Sequence, residues 1–141
     1  MDFSDFDSRG ASDEGRPYHL LHPVTSEPMM DGDTPCIVMV RGVEGRDTQE
    51  ALRKIESARV KDEKPDVDEL DARIKASAAV LLVGFKSGIH RGSKPAKVPA
   101  DVDWFLDLNR INMNLPGKSF AEQIAKAAAD RGMYLGNVSA D

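Results

Sequence analysis

Apolar and polar positions change rhythm several times along the chain. Residues 1–16 are mostly Ser, Asp, Glu, Gly and Arg, with two isolated rings, Phe3 and Phe6. This composition predicts a flexible acidic arm that docks through those rings. Tyr18 to Leu21 read as a short strand stopped by Pro23. A turn-rich stretch with Asp31-Gly32 follows, and then "CIVMVRG", Cys36 to Gly42, a β-branched apolar strand ending at glycine. The two strands predict a hairpin over 18–42. A lone hairpin is marginal in water, so helices must cover one face.

From Asp47 the period becomes helical. "DTQEALRKIESARVK" puts Leu52, Ile55 and Ala58 on one side, with Asp47 and Glu50 spaced as a capping box. "DEKPD" interrupts. Asp66 then caps a second helix, with Val67, Leu70, Ile74, Ala78, Leu81 and Phe85 at three- and four-residue steps. Its second half, Ala76 to Phe85, is apolar nearly all round and predicts the central core element. "KSGIHRGSKPAKVP" is a loop and the one basic island, with Lys86, Arg91, Lys94 and Lys97. "ADVDWFLDLNR" predicts a third helix. "SFAEQIAKAAADRG" predicts a fourth, capped by Ser119 with Glu122 as reciprocal partner and stopped near Gly132. No internal repeat is visible. The expected fold is mainly α, about four helices with a small N-terminal β-hairpin. It forms a single domain over 17–132, followed by a C-terminal tail over 133–141.

Composition narrows the function. With 141 residues, 40% hydrophobic and 30% charged, the chain supports one modest core without a metal or disulfide staple. Cys36 is the only cysteine, so an internal bridge is excluded, and within "CIVMV" it reads as a small buried hydrophobe. The net charge of −5 argues against generic nucleic-acid binding, although the basic loop with Trp104 as a stacking platform keeps a local version open. The longest apolar run, Ala78 to Phe85, is far short of the about 20 residues a membrane span needs. The acidic opening lacks the basic-then-apolar order of a leader, which predicts a cytosolic protein.

Candidate chemistry is thin. Gly117-Lys118-Ser119 matches the end of a phosphate-binding loop, but Asn112 stands where the first glycine belongs and the preceding segment has a helical pattern. Ser119 is better used as a helix cap. His19 and His22 are too close in sequence for a zinc pair and have no cysteine nearby. Asp31-Gly32-Asp33 resembles the start of a calcium loop whose twelfth position falls inside a strand, so a turn is expected. No catalytic residue, cofactor or metal site is predicted. Trp104, Phe105, Leu108, Ile111, Met113 and Leu115 are more apolar groups than one helical face buries, so they divide between core and an exposed protein-binding patch.

Two regions resemble a known family. Phe3 to Lys54, with its acidic arm, "HLLHPVTSEPM" strand and turn, second strand and Asp-Thr helix start, resembles small tail-region proteins of long-tailed bacteriophages. Val102 to Asn137 is similar to the C-terminal part of phage tail assembly chaperones. The shared pattern there is an aromatic-led helix, a proline linker, and a final helix carrying Phe120, Gln123, Ile124, Ala127, Asp130, Arg131 and Tyr134. The resemblance implies a non-catalytic role in the host cell cytoplasm. Such proteins coat the tape measure protein and help recruit tail tube subunits, often with a second, longer form made by frameshifting. The binding residues would be those from Trp104 to Leu115, and homo-oligomers are compatible with the role. The competing expectations are a structural virion component, such as a minor tail or head-tail joining protein, and an enzyme or nucleotide-binding protein.

Overall fold

The computed structural model describes residues 2–57, 66–111 and 118–135. The segment expected to be an arm holds two short helical elements. Asp2 caps a 3-10 turn, Phe3–Phe6, by accepting the Ser4 amide at 2.9 Å. Asp7 caps α1 (Ser8–Glu14) through the Gly10 amide. Ser8 and Ser12 of α1 are buried, while Phe3 and Phe6 stay exposed. Asp13 reaches forward to accept the Arg46 amide at 2.9 Å, so α2 (Arg46–Ser57) is capped from a distant helix and not by Asp47.

Strand β1 (Arg16–His19) is followed by a ribbon, β2 (Met30–Asp31) and β3 (Thr34–Pro35), and then by β4 (Ile37–Val40). β1 and β4 pair antiparallel within the span expected to form a hairpin. The largest departure lies in the segment expected to be the end of the long helix. Asp66 caps α3 as anticipated, but α3 (Val67–Leu81) passes directly into β5 (Leu82–Ser87), with Leu82 already extended. β5 pairs antiparallel with β4 on the side opposite β1, giving the order β1-β4-β5. The expectation of a mainly α fold is therefore corrected. Among the described residues there are five helices and seven strands in three sheets, 47% helix and 20% strand, and the strands are spread along the chain. The physical reason is that Val38 and Val40 of β4 are sealed and need partners on both edges. A short apolar run with Val80, Val83 and Gly84 fits a buried strand as well as it fits a helix.

The basic loop also contains ordered structure. β6 (His90–Arg91) and β7 (Lys94–Pro95) form a second ribbon. It repeats the first: Asp31-Gly32-Asp33-Thr34-Pro35-Cys36 corresponds to Arg91-Gly92-Ser93-Lys94-Pro95-Ala96. Gly32 and Gly92 have φ of 60° and 64°, whereas Asp33 and Ser93 are not left-handed. Glycine first in a two-residue turn is the type II′ signature. Each proline sits opposite Met30 or His90, at a position where the ladder needs no N–H. One step further the Cys36 and Ala96 amides donate to Met29 and Ile89. The ribbons carry opposite charge, and His90 Nδ1 lies 3.7 Å from Asp31.

The chain closes with α4 (Val102–Leu106), α5 (Phe120–Ala128) and a 3-10 turn, Arg131–Tyr134. α3 and α5 pack together, and α5 also meets β4. The core combines Val38, Val40, Leu81, Leu82, Phe105 and Ile124 with their neighbours. Phe105 stacks on Phe120 with centroids 4.9 Å apart and meets Phe85 edge-on at 5.2 Å. The region expected to be a tail is partly core, because Tyr134 is fully buried and donates to the Val40 carbonyl at 2.9 Å.

Asp71 ties α3 to the segment after α4. It accepts the Ile111 amide at 3.0 Å and pairs with Lys75 at 2.7 Å, and Lys75 also meets Asp107 at 3.0 Å. Burial pushes the Asp71 carboxyl up, but Lys75, the Ile111 amide and Arg110 outweigh it and hold it below its ordinary 3.8. A carboxyl with a depressed folded value stabilises the fold above its unfolded value, and that contribution is lost as pH falls through the folded one. Asp71→Asn is therefore expected to lower stability at neutral pH and to flatten the acid limb below about pH 4. Denaturant midpoints across an acid pH series check this, and an unchanged acid limb would contradict it.

Candidate functional site

Four of the six residues expected to bind a partner are among the described residues, and the structure divides them between core and surface. Phe105 and Ile111 are buried in the core, and Trp104 is half-buried against it. The Arg91 guanidinium covers the Trp104 ring at 5.4 Å and pairs with Asp101 at 3.2 Å, so that ring face is already occupied. Leu108, just beyond α4, is 48% exposed. Met113 and Leu115 lie outside the described residues, as does Gly117 of the glycine-lysine-serine motif.

The other candidate chemistry is absorbed by structure. Ser119 and Glu122 form a complete capping box at the start of α5, which occupies the serine hydroxyl. Cys36 is a free, buried thiol near the Gly88 carbonyl. Burial, and then the charge of Asp31, push it up and keep it protonated at neutral pH. His19 Nε2 lies 2.7 Å from the Met29 carbonyl and so carries the proton. His22 Nδ1 accepts the Val24 and Thr25 amides at 3.1 and 3.2 Å, which leaves the proton on Nε2. Among the described residues no group of three or more His, Cys, Asp or Glu could hold a metal ion. Nor is any helix there long and apolar enough to cross a membrane.

A well-formed concavity lies between the 20–29 loop and α5. Gln123 builds it. This side chain is buried, and its Oε1 accepts the Leu21 amide at 2.8 Å and the Tyr18 hydroxyl at 3.2 Å. Its Nε2 donates to the Leu21 and Lys118 carbonyls at 2.8 and 3.1 Å. All four of its hydrogen-bonding capacities are used, so it is a staple and not a ligand-binding group. The loop it holds and α5 enclose a cleft of about 560 Å³. Tyr18, Leu21, Ala127 and Met133 supply apolar lining, and Lys118 and Lys126 stand at the α5 side. Lys118 lies 3.6 Å from Glu122, whereas Lys126 has no ion-pair partner among the described residues. The volume falls within the roughly 300–1,000 Å³ of ordinary ligand sites. The lining is suited to holding an apolar or aromatic group that carries negative charge. Sequence reasoning marked Gln123 through the family pattern but missed the cleft, because its two walls are about a hundred residues apart in the chain.

Comparison with protein-family models, curated proteins and solved structures gives no match.

Proposed function

We propose that this chain is a bacteriophage tail assembly chaperone. It is non-catalytic, works in the host cell cytoplasm, binds the tape measure protein and helps recruit tail tube subunits. The observation that carries the reading is the exposed side chain of Leu108, just beyond the helix that holds half-buried Trp104. Met113 and Leu115, two further apolar residues, follow in the sequence. The family pattern at Phe120, Gln123, Ile124, Ala127, Asp130, Arg131 and Tyr134 supports it, with Gln123, Ile124 and Tyr134 all buried. A small acidic domain with a limited apolar patch suits reversible cover of a long helical partner. Many weak identical contacts give avidity, while each single contact remains displaceable by tube subunits.

Quantitative mass spectrometry of infected cells and of purified particles tests the role. A chaperone is abundant during assembly and absent from finished virions. Recovery from particles at a fixed stoichiometric copy number would instead assign it to the virion as a minor tail or head-tail joining protein.

A further inference from the structure

Two separate surface features of the molecule fit one another. Phe3 and Phe6 are 73% and 49% exposed, and their rings meet edge-on with centroids 5.9 Å apart. They are not strung on a loose chain. The Asp2-capped turn presents both rings together, and Asp2, Asp5 and Asp7 surround them with negative charge. A pair of large rings left in water is a strong incentive to associate, since each ring brings a large apolar area and a fixed shape. The second feature is the cleft under the 20–29 loop. It offers about 560 Å³ over an apolar lining, with Lys118 and Lys126 beside it. Asp130 also borders the cleft, its Oδ1 accepting the Gly132 amide at 3.0 Å, and Lys118 lies 3.6 Å from Glu122, so Lys126, with no ion-pair partner among the described residues, is the cation left to meet an acidic group.

We propose that the Phe3–Phe6 turn of one copy docks in the cleft of a second copy of this chain. The rings enter against Tyr18, Leu21 and Met133, and the flanking aspartates face Lys126. The turn is capped beforehand, so little ordering entropy is lost on docking. Plug and socket are different surfaces, which makes the contact heterologous. Each copy offers one of each, so association runs head to tail and does not stop at a two-fold dimer unless a ring closes. This self-association does not depend on the tape measure reading. A chain that fails to bind that partner can still string together, and the reverse also holds.

Sedimentation velocity on the full chain over a wide concentration series tests the proposal. The wild-type sedimentation coefficient is expected to rise with concentration. Phe3→Ser/Phe6→Ser removes the plug and Lys126→Glu damages the socket, and each is expected to hold the chain as a monomer. Each ring lost weakens association by about tenfold or more. All three positions are exposed, and circular dichroism confirms that both variants remain folded. The deciding arm mixes the two variants. One retains its socket and the other its plug, so the mixture is expected to form one-to-one pairs that grow no further. A wild-type chain that stays monomeric throughout, as docking of the turn in its own cleft would produce, overturns the proposal. So does a mixture that fails to pair.

Discussion

Phe105→Ala is expected to lower the unfolding free energy by about 3–5 kcal/mol, a large share of what a domain of this size has. The ring is almost completely buried, sandwiched between Phe120 and the edge of Phe85, and it joins α4 to both α5 and β5. Its removal leaves a cavity that three separate elements would have to collapse to fill. Trp104→Ala is expected to cost less, because that ring is only half-buried. Urea unfolding with an unchanged slope checks the pair. A loss under about 1 kcal/mol for Phe105→Ala would mean that the ring is not core. Phe105 is consequently the wrong residue with which to probe partner binding. Leu108→Ser is the proper probe, since about half of that residue is already exposed to water.

Tyr134→Ala is expected to cost a comparable amount, about 3–5 kcal/mol by analogy with other large buried aromatics. Its body is enclosed and its hydroxyl donates to the Val40 carbonyl, so it fastens the last described turn to the central strand. Tyr134→Phe keeps the packing and loses only the hydrogen bond, for about 1 kcal/mol. The pH dependence supplies a second readout. Burial pushes the Tyr134 phenol well above its ordinary 10.0, because ionising it would place a charge in the core. A folded value raised above the unfolded one means that stability is complete below about pH 10 and falls as pH rises beyond it. Tyr134→Phe is expected to remove part of that alkaline loss. Wild-type and Phe variants losing stability in parallel above pH 10 would show that the phenol is not buried.

Elements set by neighbouring residues were legible in the sequence. The Ser119 and Glu122 box, the Asp66 cap, the strand at Ile37–Val40 and the buried Cys36 all follow from local patterns. The change from α3 to β5 at Leu82 was not legible, because an all-apolar run satisfies helix and buried strand alike. Only the unfilled edge of β4, which lies about forty residues earlier, decides between them. Asp13 capping α2 from α1 is a contact across 33 residues that no spacing rule encodes. The two ribbons share a turn chemistry but differ at most side chains, so their likeness is one of backbone, carried by Gly32, Pro35, Gly92 and Pro95. Tyr134 lies in a short apolar trio, Met133 to Leu135, bounded by Gly132 and Gly136, too short to show a period that would mark it as core. Of the six candidate binding residues, the surplus of apolar groups was readable but its division was not. Burial at Phe105 and Ile111 depends on Phe85, Phe120 and Asp71, which belong to other elements.

The proposed role is tested most directly by co-expressing this chain with a tape measure protein encoded beside it, followed by size-exclusion chromatography of the soluble fraction. The expected result is a soluble complex with several copies of the chain on each tape measure molecule, and a complex depleted of the chain when Leu108→Ser is used. Insoluble tape measure protein with this chain eluting alone, at every expression ratio, would contradict it.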